Sequence, residues 1–236
     1  MQDLGENYRK RLGEARLLLI FSPELVSEAD PLERLRLLIP HVDIIQVRPK
    51  PVATEQRSMI AADPPAEARA THDWAERVLE LVAEAAPDEE ARPLVMVNDR
   101  VDVAMALRDH GCAGVHLGQS DLPTAEARSL LGEDAIIGLS THSMSDVVMT
   151  LDQPIDYLGY GPVFASTTKG YSEARGAETA WVASEAVGVP LFPIGGITPA
   201  NATELKNIGR AAVGSALLSA KDPVEAALTL RAALEA

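Results

Sequence analysis

Eight short apolar runs rich in β-branched residues recur along the chain, and amphipathic stretches of helical period lie between them. The strand-like runs fall at 16–22, 42–48, 93–99, 114–119, 135–141, 157–163, 190–197 and 211–217. Helical patterns fall at 27–39, 68–86, 101–109, 123–131, 143–151, 179–187, 199–208 and 223–235, the seventh bracketed by Thr198-Pro199 and Gly209. Strands separated by helices pair in parallel, and a repeat of roughly 30 residues per βα unit is what a (β/α)8 TIM barrel requires. An open doubly wound sheet is the competing architecture, but it places a glycine fingerprint after its first strand, and FSPELVSEAD has none. No linker or charge block divides the chain, so residues 16–236 are read as one α/β barrel domain. Residues 1–15 are read as an N-terminal extension forming a short extra helix. Residues 51–69 make an unusually long excursion after the second strand, either a lid or a surface insertion.

Charge narrows the partner classes. Against 35 acidic residues stand 21 Lys and Arg, and the resulting net charge of −14 repels a phosphate backbone, so no nucleic acid is expected as a partner. No stretch approaches the roughly 20 apolar residues of a membrane helix, and the opening MQDLGENYRKRLGEAR is too polar for a signal peptide. Cys112 has no second cysteine to pair with, and a cytoplasmic location without membrane association is expected. Self-association into a homo-oligomer stays open. The five histidines (His41, His72, His110, His116, His142) lack zinc spacing, and Cys112 has no adjacent base.

In such a barrel the chemistry sits at the C-terminal ends of the strands. The second strand ends in QVRPK, where Gln46, Arg48 and Lys50 alternate onto one face above Ile44, converging in the barrel mouth or forming a solvated strand end. The third ends in Asn98 and Asp99, suited to a hard cation or to an anion's hydrogen bonds. Asp121, after the fourth strand, either caps the next helix or binds metal. The fifth offers Ser140, Thr141 and His142, as phosphate contacts, helix cap or acid–base group. Ser166, Thr167, Thr168 and Lys169 follow the sixth strand with the composition of an anion-binding loop or of a plain surface turn. Gly195, Gly196 and Gly214 follow the last two strands, where this fold commonly binds phosphate and where close strand–helix packing also calls for glycine.

Taken in order, QVRPK, VNDRVDVA, GVHLGQSDLP, GLSTHS, YLGYGPVFASTTK, FPIGGI and GSAL resemble the signature segments of the thiamine phosphate synthase family, over most of the chain. The resemblance implies a transferase that joins a hydroxymethylpyrimidine diphosphate to a thiazole phosphate, with Mg2+ as cofactor. It implies that Gln46, Arg48, Lys50, Asn98, Ser140 and Lys169 contact the pyrimidine diphosphate and that Asp99 and Asp121 hold the metal. It implies that Ser166, Thr167, Thr168, Gly196, Ala216 and Leu217 receive the thiazole phosphate. The implied chemistry is dissociative: diphosphate leaves, and the thiazole nitrogen captures the pyrimidine carbocation, with no protein nucleophile. Arg48, Lys50, Lys169 and one Mg2+ nearly balance Asp99, Asp121 and a diphosphate ester of roughly −3 charge.

Three departures stand out: Ser166 replaces the family's usual Thr, Pro49 its usual Glu, and GSALL places Ser215 two residues before Leu217, near which the family shows Ser. Two other readings remain: a thiazole tautomerase of the same fold using a His near His142, and a non-catalytic barrel that binds thiamine intermediates. The retained Asp99, Asp121 and Q-x-R-x-K set favours the synthase.

Overall fold

The computed structural model describes residues 4–49, 64–165 and 174–235. Eight parallel strands appear: β1 Leu17–Phe21, β2 Ile44–Val47, β3 Leu94–Asn98, β4 Cys112–Leu117, β5 Ile136–Thr141, β6 Tyr157–Tyr160, β7 Leu191–Pro193 and β8 Ala211–Val213. Hydrogen bonding runs from β7 down to β1 and on to β8, and a single bridge, Ile194 to Ala212, joins the two ends. The strands thus close into the expected (β/α)8 barrel.

Alternation decides what fills it. Leu18, Ile44, Leu94, Met96, Ile136, Tyr157, Phe192 and Ala212 form a cluster inside the barrel, while Leu17, Leu19, Phe21, Ile45, Val47, Val95 and Val97 belong to the outer cluster beneath the helices. Tyr157 meets Phe192 edge-on at 5.7 Å, a geometry that adds about 0.5–1.5 kcal/mol to the burial of the rings. Helix α1, Leu4–Glu14, lays Tyr8 and Leu12 into that inner cluster. It plugs the N-terminal mouth.

The outer helices are α2 Pro31–Leu38, α3 Pro64–Ala85, α4 Val101–Ala106, α5 Thr124–Leu131, α6 Met144–Met149, α7 Ala177–Glu185, α8 Ser215–Leu218 and α9 Pro223–Glu235. Local chemistry sets their starts. Asp30 accepts the Leu32 N–H ahead of Pro31, and Ser143 accepts the Asp146 N–H while Asp146 accepts the His142 N–H. None of the described helices is long and apolar enough to cross a membrane.

Most boundaries shift by one to four residues from expectation, and the last two strands with the helix between them differ in kind. The strand expected at 211–217 stops at Val213, and Ser215–Leu218 turns helical. The strand expected at 190–197 stops at Pro193, because Gly195 and Gly196 take positive φ values of 96° and 65°. The helix expected at 199–208 shrinks to a 3-10 turn, Ala202–Leu205. Asn201 spends its side chain on the Thr198 N–H and the Gly196 carbonyl, which holds the preceding segment as a loop.

Two aspartates brace the N-terminal rim in matching ways. Asp43 precedes β2 and accepts the Leu17 N–H at 2.8 Å; Asp156 precedes β6 and accepts the Ile137 N–H at 2.7 Å. Each also meets an arginine, Arg231 for Asp43 at 2.9 Å and Arg128 for Asp156 at 2.6 Å. Asp156 takes Arg9 of α1 as well, at 2.8 Å, and its side chain is only 8% exposed. Removing one partner of a buried ion pair strands the other's charge. Asp156→Ala is therefore expected to cost about 3 kcal/mol and to lower the melting temperature by about 10 °C in a circular dichroism melt. The half-exposed Asp43→Ala should cost less, and the reverse ranking would contradict this account of the rim.

Candidate active site

A cavity of about 480 Å³ opens at the C-terminal ends of the strands. Its floor is apolar, from Ile20, Ile194 and Ala212, and its walls carry Arg48, Ser140, His142, Gly196 and Ala216. Arg48 is fixed just past β2, its N–H donating to the Phe21 carbonyl at 2.8 Å and its carbonyl accepting from the Ser22 hydroxyl at 3.0 Å. Gln46 sits one alternation deeper and is buried.

Asn98 ends β3, and Asp99 turns sharply away from it with φ of 62°, a left-handed backbone that Asp tolerates better than most residues. The Asp99 N–H is held by the His116 carbonyl at 2.8 Å, and its carboxyl hydrogen-bonds to that of Asp121. Partial desolvation, reinforced by Asp121, pushes the Asp99 carboxyl up to about 7 although the residue stays exposed to solvent, with Arg48 and Asn98 pulling the other way. Asp121 does not cap α5, whose N-cap is Pro123 without a side-chain bond. Its carboxylate accepts the Gly118 N–H at 2.6 Å instead.

Two neighbouring carboxyls, within electrostatic reach of Arg48 in the cavity wall, suit Mg2+, which takes one or two protein carboxylates and completes its shell with water and substrate phosphates. Among the described residues there is no group of three or more His, Cys, Asp or Glu able to hold a metal by itself. The donor set fits an ion that a phosphorylated ligand helps to hold.

The remaining expected residues divide into three groups. Gly196 lines the cavity and packs so tightly that a Cβ there would lie 2.5 Å from the Ala165 carbonyl oxygen. Ala216 lines it too, but Leu217 faces the core and its N–H is taken by the Gly214 carbonyl at 3.0 Å. Lys50, Ser166, Thr167, Thr168 and Lys169 lie outside the described residues. Sequence reading missed His116, whose ring bonds both Ser140 and Tyr157. Its inward parity on β4 was the available signal.

The sequence model for thiamine monophosphate synthase matches residues 17–220. The chain belongs to the thiamine monophosphate synthase family. It is 35% identical over 238 residues to the thiamine-phosphate synthase of Synechococcus sp. (strain CC9311), covering 98% of this chain and 60% of that protein. It is 44% identical over 135 residues to that of Synechococcus sp. (strain CC9605), covering 56% of this chain and 38% of that protein. The matched part thus spans less than two thirds of the length of these curated relatives. Among solved structures it is similar to the thiamine phosphate pyrophosphorylase of Pyrococcus furiosus, with 27% identity, a TM-score of 0.73, and coverage of 97% of this chain and 98% of that one.

In this member of the thiamine monophosphate synthase family, the aspartate pair carries a stability signature. Folded Asp99 keeps its proton up to about pH 7, whereas an ordinary aspartate releases it near 3.8. The folded state therefore binds the extra proton between those values, and metal-free stability falls as pH rises through that window. Asp99→Asn, which cannot ionise, is expected to raise the melting temperature of the metal-free protein at pH 8 and to change it little at pH 5. Equal shifts at both pH values would count against the shared proton.

Proposed function

We propose that the chain is a thiamine-phosphate synthase, a transferase that condenses 4-amino-2-methyl-5-hydroxymethylpyrimidine diphosphate with thiazole phosphate to give thiamine monophosphate and diphosphate. The observation that supports this reading is that Arg48 and Ser140 line one cavity while Asp99, paired with Asp121, lies close enough to Arg48 to feel its charge. In the reaction, the bond from the pyrimidine methylene carbon to the diphosphate oxygen breaks with its electron pair leaving on oxygen. The thiazole nitrogen lone pair then forms the new C–N bond. No proton has to move and no protein atom has to bond to carbon, so the protein's task is orientation and charge.

Arg48 brings a permanent positive charge to the cavity wall, Ser140 a hydroxyl, and the apolar floor of Ile20 and Ile194 gives the rings a dry seat. Asp99 and Asp121 would hold Mg2+, which supplies neutralising charge to a departing diphosphate. Lys50 and Lys169 would add cations, with Asn98 orienting the pyrimidine and Gln46, assigned to the same substrate by resemblance, acting from one alternation deeper. Ser166, Thr167, Thr168, Gly196 and Ala216 would meet the thiazole phosphate. Leu217 is assigned the same site by resemblance, although its side chain is buried in the core.

A thiazole-isomerising reading draws on His142, which lines the same cavity and engages the Gly161 carbonyl through Nδ1 at 2.7 Å, so that Nε2 remains as a base. One assay separates the two: both substrates with Mg2+, following thiamine monophosphate and diphosphate together. Equimolar formation of both, abolished by chelator, is expected. Isomerisation of the thiazole precursor without either product would favour the His142 reading, and binding without turnover a non-catalytic barrel. Asp99→Ala and Lys169→Ala should each lower turnover at least about tenfold, equivalent to about 1.4 kcal/mol of transition-state stabilisation, and near-wild-type rates in both would overturn these roles.

A further inference from the structure

Four polar side chains from four strands join across the barrel interior beneath the cavity. The Gln46 amide of β2 neighbours the Tyr157 hydroxyl of β6 and favours its charged form, as a donor does. Tyr157 Oη lies 2.9 Å from His116 Nδ1 of β4, and His116 Nε2 lies 2.8 Å from Ser140 Oγ of β5. Gln46, Tyr157 and His116 are all buried, and only Ser140 among the four lines the cavity. The neighbouring strands reserve room for this chain. A Cβ on Gly138 would sit 2.2 Å from the Tyr157 ring and 2.6 Å from His116 Nδ1, so no larger residue fits there without displacing the pair.

A neutral imidazole carries one donor and one acceptor, so such a chain has only two internally consistent polarities. In the polarity that agrees with the donor-like effect of Gln46 on the phenol, burial keeps the phenol protonated and its O–H donates to His116 Nδ1 at 2.9 Å. His116 then bears its proton on Nε2 and donates it to Ser140 Oγ. The Ser140 hydroxyl hydrogen is turned away from the imidazole and toward the cavity. The Ser–His spacing is that of a nucleophile and its base, but the polarity is the reverse, since an Nε2 that carries a proton cannot take one from serine.

We propose that Gln46, Tyr157 and His116 are positioning residues that hold Ser140 as a hydrogen-bond donor to an anionic oxygen of the substrate, and that Ser140 is not a nucleophile. Only the identity of that oxygen, on a diphosphate, rests on the synthase reading. Burial of the chain keeps its members polarised by one another, so breaking it at the centre is felt at Ser140.

The full chain, labelled with 15N-histidine and free of ligand, tests the polarity directly by NMR at neutral pH. His116 is expected as a single Nε2–H tautomer, and in Tyr157→Phe, which keeps the ring packed on Phe192, that single tautomer should be lost. An Nδ1–H tautomer or an imidazolium in the wild-type protein would overturn the proposal. Kinetics test the consequence: Tyr157→Phe should lower kcat about fivefold or more with a smaller change in KM for the pyrimidine diphosphate, and the loss should vanish in a Ser140→Ala background. An equal loss in both backgrounds, or none in either, would overturn it. Absence of turnover in the wild-type protein counts against the synthase reading alone, because the tautomer is measured without substrate.

Discussion

An eight-stranded barrel is just wide enough to be filled by its own side chains, so every second residue of every strand is committed to the interior before any other contact is made. Here the lower part of that interior takes Leu18, Ile44, Leu94, Met96, Ile136, Phe192 and the ring of Tyr157, with α1 sealing it from below. The residues of opposite parity are equally apolar, and helices have to cover them. The cavity exists because the filling stops one layer short of the rim, where Gly159, Gly161, Gly195 and Gly196 contribute no side chain. A site is what remains when the core has been satisfied and the strands still have polar ends to place.

The aspartate pair shows the cost of such a site. Asp99 takes a left-handed backbone and is set against a second carboxyl, which are two unfavourable choices at one position. Neither is needed to hold the barrel together, whose rim is already braced by Asp43 and Asp156 at the opposite end. The proposed Mg2+ would offset that cost by sharing the two carboxyls. The fold thus keeps its stabilising ion pairs at one end and its destabilising carboxyl pair at the other, a division that parallel barrels permit because only one end carries the chemistry.

Much of this was legible beforehand, for a physical reason. Period-two alternation with polar strand ends gives Gln46, Arg48, Asn98 and Ser140 one inward direction without knowledge of any partner, whereas Asp99, of opposite parity, is redirected by its left-handed backbone. What parity cannot supply is connectivity. His116 reads as one polar residue in an apolar run, and its meaning lies in Ser140 and Tyr157, which sit 24 and 41 residues away. The ends of the last two strands were overextended because β-branched and small residues continue past Pro193 and Val213, whereas positive φ at Gly195 and Gly196 and the helical turn at Ser215–Leu218 stop the ladder. Asn201 likewise undid a helix through side-chain bonds that composition does not announce.

The overall charge of −14 and the proposed site for anionic substrates are compatible because the two act over different ranges. At physiological ionic strength a surface charge is screened within about 8 Å, so the excess acids on the outer helices set the far field and contribute little inside the mouth. Within the mouth the balance rests on a few groups. While Asp99 holds its proton, the carboxyl pair and Arg48 roughly cancel; once it is released, the pair carries one more negative charge than Arg48 offsets. A phosphorylated ligand alone would deepen that imbalance, and a divalent cation alone would find only two protein ligands. On the proposed reading each would make the other's binding favourable, so that the sign of the site would be set by its occupants together rather than by the protein.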